Sequence, residues 1–316
     1  MSAGDQIGKV KLGRTNLVVS NICFGTSGLG HMPDTYGYGV DEERAKATVR
    51  AIFNGPANFL DSARIYGFGR SEERIGEVIR ELGGLPKGFV ISTKLDRDAG
   101  TNRFDGARAR RSLEESLKAL NLDRIQLLHV HDPEHAASLA ELFKIRDEGL
   151  AEAVGLAAGN VQVMMPILSD WDFDALITHN RFTLTNRNAE AMIDFAAAKG
   201  IAILNAAPYA GGVLAKGSQS YRRYVYQEAS ATMLDPVRRV EAISARHGIP
   251  PGAAALQFSM RDPRITSTIC GVSKPERVQQ TLDWAKWPIA EDVWDELTAL
   301  PFSRDDPEAT RDYKAG

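Results

Sequence analysis

Cysteine is scarce in this chain. Only Cys23 and Cys270 occur among 316 residues, each inside an apolar run. Two such residues supply no disulfide framework and no thiolate metal site, and they read as reduced core thiols of a cytosolic protein. A charge excess is missing too: 38 Lys and Arg stand against 41 Asp and Glu, a formal net charge of −3. That balance leaves no electrostatic footprint for nucleic acid or for an anionic membrane surface. No apolar run approaches the ~20 residues of a membrane span. The first six residues carry neither a basic cluster nor an apolar stretch, so no secretory signal is expected. Repeats, low-complexity tracts and an interdomain linker are absent, and residues 1–316 are expected to form one domain. No G-x-G-x-x-G follows the first strand, which argues against a doubly wound dinucleotide-binding sheet.

What the chain has is alternation. Hydrophobic residues make up 43% and charged residues 25%, enough for a large buried core with a solvated surface. Residues 9–19 read as a hairpin turning near Gly13. Apolar runs at 21–25, 58–61, 89–93, 125–130, 153–157, 175–178, 201–205 and 266–270 predict eight strands. Helical patterns lie between and after them. One runs to residue 53 with Asp41 as cap, one spans 71–82 with Ser71 as cap, and others span 105–120 and 134–148, the last stopped by Gly149. Further helices are predicted over 161–168, 189–199, 236–247 and 275–285, with extra helices over 252–260 and 291–300. Eight strand–helix units predict a (β/α)₈ barrel, with the doubly wound sheet as the alternative. Two long stretches, 28–40 and 210–234, lack periodicity and follow strands, so both are expected at the face where barrels keep their sites.

Three of the predicted strands end on reactive side chains. Asn58-Phe59-Leu60 ends at Asp61, Phe89 to Thr93 ends at Lys94, and Ile125 to Val130 ends at His131, while Tyr66 follows Asp61 by five residues. Parallel strands place their C-terminal ends on one face, so a carboxylate, an amine, an imidazole and a phenol share one mouth. Taken singly, each has a bland reading as a cap, a solvated lysine, a core histidine or a packing aromatic. Their order on strands two, three and four is what carries the argument. A phenol has an unperturbed pKa of ~10. An adjacent ammonium is expected to lower it, and the aspartate to hold that ammonium charged. The tyrosine then exchanges a proton with a carbonyl or hydroxyl oxygen. A neutral histidine orients the same oxygen. His129 lies on the same strand face as His131, but only His131 reaches the strand end.

These segments together resemble the aldo-keto reductase family, over roughly residues 9–300. The resemblance is carried by Leu12-Gly13-Arg14-Thr15, Phe24-Gly25-Thr26, Phe59-Leu60-Asp61-Ser62-Ala63 with Tyr66-Gly67, Ser71-Glu72, Ile75-Gly76, Ser92-Thr93-Lys94 and Leu127 to His131. It implies a (β/α)₈ barrel that binds NADP or NAD without a Rossmann fold and acts on a small carbonyl or sugar-like substrate. It also implies Tyr66 as general acid/base, Lys94 and Asp61 as its tuning pair, and His131 as carbonyl orienter. Cofactor contacts are implied at Gly25, Thr26, Asp61, Asn160, His179, Asn180, Ala206, Tyr209, Gly211, Gly212, Gly271, Ser273, Lys274, Arg277 and Gln280. The nicotinamide clamp departs from the family pattern. Ala157 and Ala158 stand where a Ser-Asn pair is usual, His179 where a glutamine is usual, and Ala206 where an aromatic ring stacks, with Tyr209 expected to substitute. At 271–277 a phosphate would meet a helix N-terminus with Lys274 and Arg277. Segments 129–133 and 205–212 resemble the branch of sugar and pyridoxal dehydrogenases, which implies oxidation of a cyclic hemiacetal to a lactone. An NADPH-dependent aldehyde or ketone reductase and a non-catalytic cofactor-sensing subunit remain as alternatives.

Overall fold

The computed structural model describes residues 7–133 and 137–309. The first six residues and the start of the helix predicted from 134 lie outside the described residues. Strands β1 (Lys9–Lys11) and β2 (Val18–Ser20) form the expected antiparallel hairpin. Its apolar residues Leu12, Leu17 and Val19 are buried against the inward side chains of the barrel, so the hairpin plugs one end. Asn58 ties the plug down: its Nδ2 donates to the carbonyls of Val18 (2.9 Å) and Gly88 (2.7 Å), and its Oδ1 accepts from Ser20 N.

The barrel strands are β3 (Ile22–Gly25), β4 (Phe59–Asp61), β5 (Val90–Leu95), β6 (Ile125–His131), β7 (Ala151–Ala157), β8 (Ala175–His179), β9 (Ala202–Ala206) and β12 (Ile265–Gly271). They close in the order β12-β3-β4-β5-β6-β7-β8-β9, all parallel. Period-2 alternation sorts their side chains. Phe59, Val90, Leu127, Ala153 and Leu204 fill the interior, whereas Leu60, Ile91, Leu128, Val154 and Ile203 face the helices. The short pair β10 (Arg223–Tyr224) and β11 (Gln227–Glu228) lies in the long loop after β9.

The helices are α1 (Pro33–Tyr36), α2 (Glu42–Phe53), α3 (Arg70–Glu81), α4 (Gly106–Leu120), α5 (Ala137–Asp147), α6 (Val161–Asp170), α7 (Glu190–Ala198), α8 (Val213–Lys216), α9 (Ala231–Arg246), α10 (Pro251–Arg261), α11 (Pro275–Ala285) and α12 (Glu291–Thr298). Asp41 caps α2 as expected, accepting from Arg44 N at 2.8 Å. Ser71 does not cap α3. Gly69 takes that place at φ 99°, and the Ser71 hydroxyl instead donates to Thr26 O at 2.9 Å. The stretch 210–234 is not irregular throughout, since it holds α8, β10 and β11, and α9 begins at Ala231 with the Ser230 hydroxyl capping Met233 N. Pro236 sits inside α9 rather than opening it. Between β9 and β12, α10 packs on β12 while α9 packs on α8, α10 and α12, so α9 is the supernumerary helix. The small residues Ala253, Ala254 and Ala255 let α10 pack closely on β12 and α11. Among the described residues no helix is long and apolar enough to cross a membrane.

Candidate active site

Asp61 ends β4, His131 ends β6, and Lys94 is the penultimate residue of β5. All three line one cavity at the C-terminal mouth of the barrel, together with Tyr66 from the loop before α3. Lys94 is 2% exposed; its Nζ donates to Asp61 Oδ2 at 2.7 Å and to Ser62 O at 2.6 Å. An ammonium carries three donors, so one is left for the phenol side of the site. Lys94 Nζ lies 5.0 Å from the Tyr66 ring centroid, and the Tyr66 and His131 rings meet edge to face at 6.1 Å.

The turn bearing Tyr66 is fixed by backbone packing. Gly67 is at φ 60°, and a Cβ there would stand 1.9 Å from Gly30 O. Only a residue without a side chain lets the two loops touch. The Ser71-Glu72 motif serves the same end. Ser71 bonds to Thr26, and the Thr93 hydroxyl donates to Glu72 Oε1 at 2.6 Å, with burial pushing the Glu72 carboxyl up to about 7.

His129 lies beneath the site rather than in it. It is fully buried, its Nδ1 is 3.3 Å from Ser92 Oγ, and Ser92 Oγ donates onward to Asp61 Oδ1 at 2.8 Å. Since the Ser92 proton goes to Asp61, His129 Nδ1 is the donor to Ser92. Burial, then the charge of Lys94, depresses the His129 pKa well below its ordinary value, so the ring is neutral. Gly155 makes room for that ring, since a Cβ there would meet His129 Cδ2 at 2.3 Å.

Asp96 is the residue that sequence reading missed. It follows Lys94 by two positions just past β5, is 3% exposed, and its Oδ1 lies 2.6 Å from His131 Nδ1. Period-2 alternation from Lys94 was the available signal. Burial works against protonating His131, yet the charges of Asp96 and Asp132 and the Asp96 hydrogen bond outweigh it, and the pKa is raised. The phenol departs from expectation. Burial first, then the negative charge of Asp61, pushes the Tyr66 pKa well up, not down. Lys94 does not acidify it in this state because its charge is matched at 2.7 Å by Asp61.

Of the residues implied as cofactor contacts, Gly25, Thr26, Asp61, His179, Ala206, Tyr209, Gly211, Gly212, Gly271, Ser273 and Arg277 line the cavity. Asn160 does not: it is exposed and caps α6, accepting from Gln162 N at 3.0 Å and Val163 N at 3.3 Å. Asn180 does not line the cavity either; it is fully buried at φ 59°. Lys274 occupies the N-cap of α11 and Gln280 accepts from Arg277, and neither lines the cavity. Tyr209 lines it at the end formed by β12 and α11, with its hydroxyl on Cys270 Sγ (3.7 Å) and its ring 5.8 Å from Trp284.

The cavity fits an anionic dinucleotide on other grounds. Lys216, from α8, is wedged between Tyr221 (3.8 Å) and Tyr38 (4.6 Å). Burial, then the guanidinium groups of Arg277 and Arg223, lowers its pKa to about 8. Cations gathered this way repel one another until an anion joins them. Lys216 was also missed by sequence reading; its signal was a basic residue closing the turn opened by Gly211 and Gly212.

Comparison with known proteins agrees with this geometry. Residues 21–301 match the Aldo/keto reductase family. A D-threo-aldose 1-dehydrogenase from Pseudomonas sp is 30% identical over 197 residues, covering 60% of this chain and 60% of that protein. The chain thus spans about three fifths of the length of that relative. An L-galactose dehydrogenase from Arabidopsis thaliana is 26% identical over 282 residues, 86% of each chain. Among solved structures, an aldo-keto reductase from Bacillus halodurans in its holo form superposes with a TM-score of 0.76 at 19% identity, covering 97% of this chain and 100% of the other. That likeness speaks to the fold. With the family match spanning most of the chain, and the acid, amine, phenol and imidazole gathered at one barrel mouth, this protein belongs to the aldo/keto reductase family.

Proposed function

We propose that this NAD(P)-dependent oxidoreductase oxidises a cyclic hemiacetal, of aldose or pyridoxal type, to a lactone. The convergence of Asp61, Tyr66, Lys94 and His131 on one cavity is the observation that carries the chemistry. The likeness to two sugar dehydrogenases supports the substrate class. So does the lining beside His131, where Arg97 and Asp132 offer a donor and an acceptor to a hydroxylated ring. When bound, the nicotinamide takes or returns a hydride. The remaining work falls to the protein. Lys94, held by Asp61 and Ser62 O, keeps a positive charge beside the phenol. Tyr66 exchanges a proton with the substrate oxygen, and His131 orients that oxygen. Residues of the Gly211–Lys216 turn and Arg277 would hold the dinucleotide phosphates.

A second reading, reduction of simple aldehydes, is favoured by the raised pKa of Tyr66, because a phenol that keeps its proton is a donor. Product analysis by NMR separates the two. Incubation with NAD or NADP and L-fucose, galactose or pyridoxal is expected to yield the lactone first. Conversion of aldehydes to alcohols, with no cyclic hemiacetal oxidised, would leave the reductase reading alone.

Arg277 is expected to read the adenosine end. If it meets a 2′-phosphate, Arg277→Ala raises the Kd of NADPH about ten- to a hundredfold, as suits a charge-assisted contact of ~1.5–3 kcal/mol, and leaves NADH nearly untouched. Fluorescence titration with both dinucleotides checks this. Equal weakening would assign Arg277 no role in choosing between them.

A further inference from the structure

We propose that Asp96 is a positioning residue that sets the tautomer of His131, so that Nε2 meets the substrate oxygen as a donor when the ring is charged and as an acceptor when it is neutral. The geometry carries it. Asp96 Oδ1 lies 2.6 Å from His131 Nδ1, and a carboxylate has no proton to give, so Nδ1–H is the donor. The second oxygen is also committed: Asp96 Oδ2 accepts from Ile65 N at 2.8 Å, next to Tyr66. The Asp96 backbone is fixed as well, its N–H donating to Ser112 Oγ (2.9 Å) and its carbonyl accepting from Arg108 Nε (3.1 Å). One carboxylate therefore clamps the imidazole and the turn that bears the phenol. With Nδ1 occupied, the proton that comes and goes is the one on Nε2, and His131 lines the cavity.

The consequence is a pH-dependent choice of ligand. A charged ring presents Nε2–H to a carbonyl oxygen. A neutral ring presents a lone pair, which repels a carbonyl oxygen but accepts from a hydroxyl. The groups facing His131 are Asp96 and Lys94 from the β5 end, Arg97 beyond it, Asp132 next in sequence, His129 below on β6, and Tyr66 from the loop after β4. The two nearby carboxylates outweigh Lys94 and burial and hold the proton above the usual histidine range, so the changeover falls above that range. Carbonyl binding is favoured below it and hydroxyl binding above it.

This inference rests on the reading that His131 faces the reacting oxygen, and its first test does not. Nitrogen-15 NMR of histidine-labelled protein, assigned with His131→Gln, is expected to show the neutral ring protonated at Nδ1 and bare at Nε2. Dominance of the Nε2–H tautomer would overturn the proposal whether or not any substrate turns over. In Asp96→Asn the single amide oxygen cannot serve both His131 and Ile65 N, and the His131 pKa is expected to fall by about one unit or more. An unchanged pKa in a folded variant would overturn it as well. The second readout is kinetic: kcat/KM for reduction of 4-nitrobenzaldehyde falls as pH rises through the NMR-measured pKa, mainly through KM, and that limb moves to lower pH in Asp96→Asn. A limb that ignores the substitution counts against Asp96. Absence of all turnover would count against the reductive activity alone and leave the tautomer result standing.

Discussion

Replacing Tyr66 by Phe is expected to lower kcat by ~10²–10⁴ while the cofactor Kd barely changes, the loss typical of a deleted general acid/base. Phe keeps the ring, and with it the edge contact to His131 at 6.1 Å and the face beneath the Lys94 ammonium at 5.0 Å. Only the hydroxyl is lost, so folding and dinucleotide binding serve as internal controls. Initial rates in both directions, with fluorescence titration of the cofactor, check it. If Tyr66→Phe keeps most of its activity, another group carries the proton. The raised pKa of Tyr66 adds a condition. The phenol stays protonated through neutral pH, so any limb seen there belongs to another group, of which His131, with its raised pKa, and Lys216, lowered to about 8, both line the cavity.

Lys94→Met is expected to damage both activity and stability. The ammonium and the Asp61 carboxylate are almost wholly buried, 2% and 6% exposed at the side chain. Deleting one member of a buried pair typically costs ~3–5 kcal/mol, because the other charge is left without its partner. Asp61→Asn with Lys94→Met removes both charges and is expected to recover most of that stability while remaining inactive. Urea midpoints for the single and double variants decide it. A single variant that unfolds at the wild-type midpoint would mean that the pair contributes nothing to the fold.

Much of this architecture could be read before the structure, for a physical reason. Barrel strands are short apolar runs, and the residues that end them must break the apolar pattern in order to reach the mouth. Asp61, Lys94 and His131 are such breaks, which is why sequence located them. Asp96 was hidden because its partner is distant in sequence: only closure of β5 against β6 brings it to His131. Counting along a loop does not say which way a ring turns, and that of Tyr209 packs against Trp284 at the edge of the cavity. Asn160 was an amide near the right strand, but the backbone N–H groups opening α6 claimed it first. The order of α9 and α10 followed from packing, which periodicity does not encode. The direction of the Tyr66 shift was missed for a similar reason. The effect of Lys94 depends on how completely Asp61 cancels it, which is a matter of ångströms.

The pairing of β12 with β3 gives the molecule a history. Ile22 and Thr268 are partners in the sheet although most of the chain lies between them, so the ring cannot shut until one of its latest segments is in place. Until then β3 and β9 both present open edges, and bringing such distant segments together makes closure slow. The cavity straddles that seam, with Gly25 and Thr26 on the early side and Gly271 and Ser273 on the late side. A dinucleotide lying across it would join the first and last barrel segments. It would bind the shut ring and not the open one, and by mass action would hold the ring shut. The molecule bound for its chemistry would then also act as the clasp of the barrel.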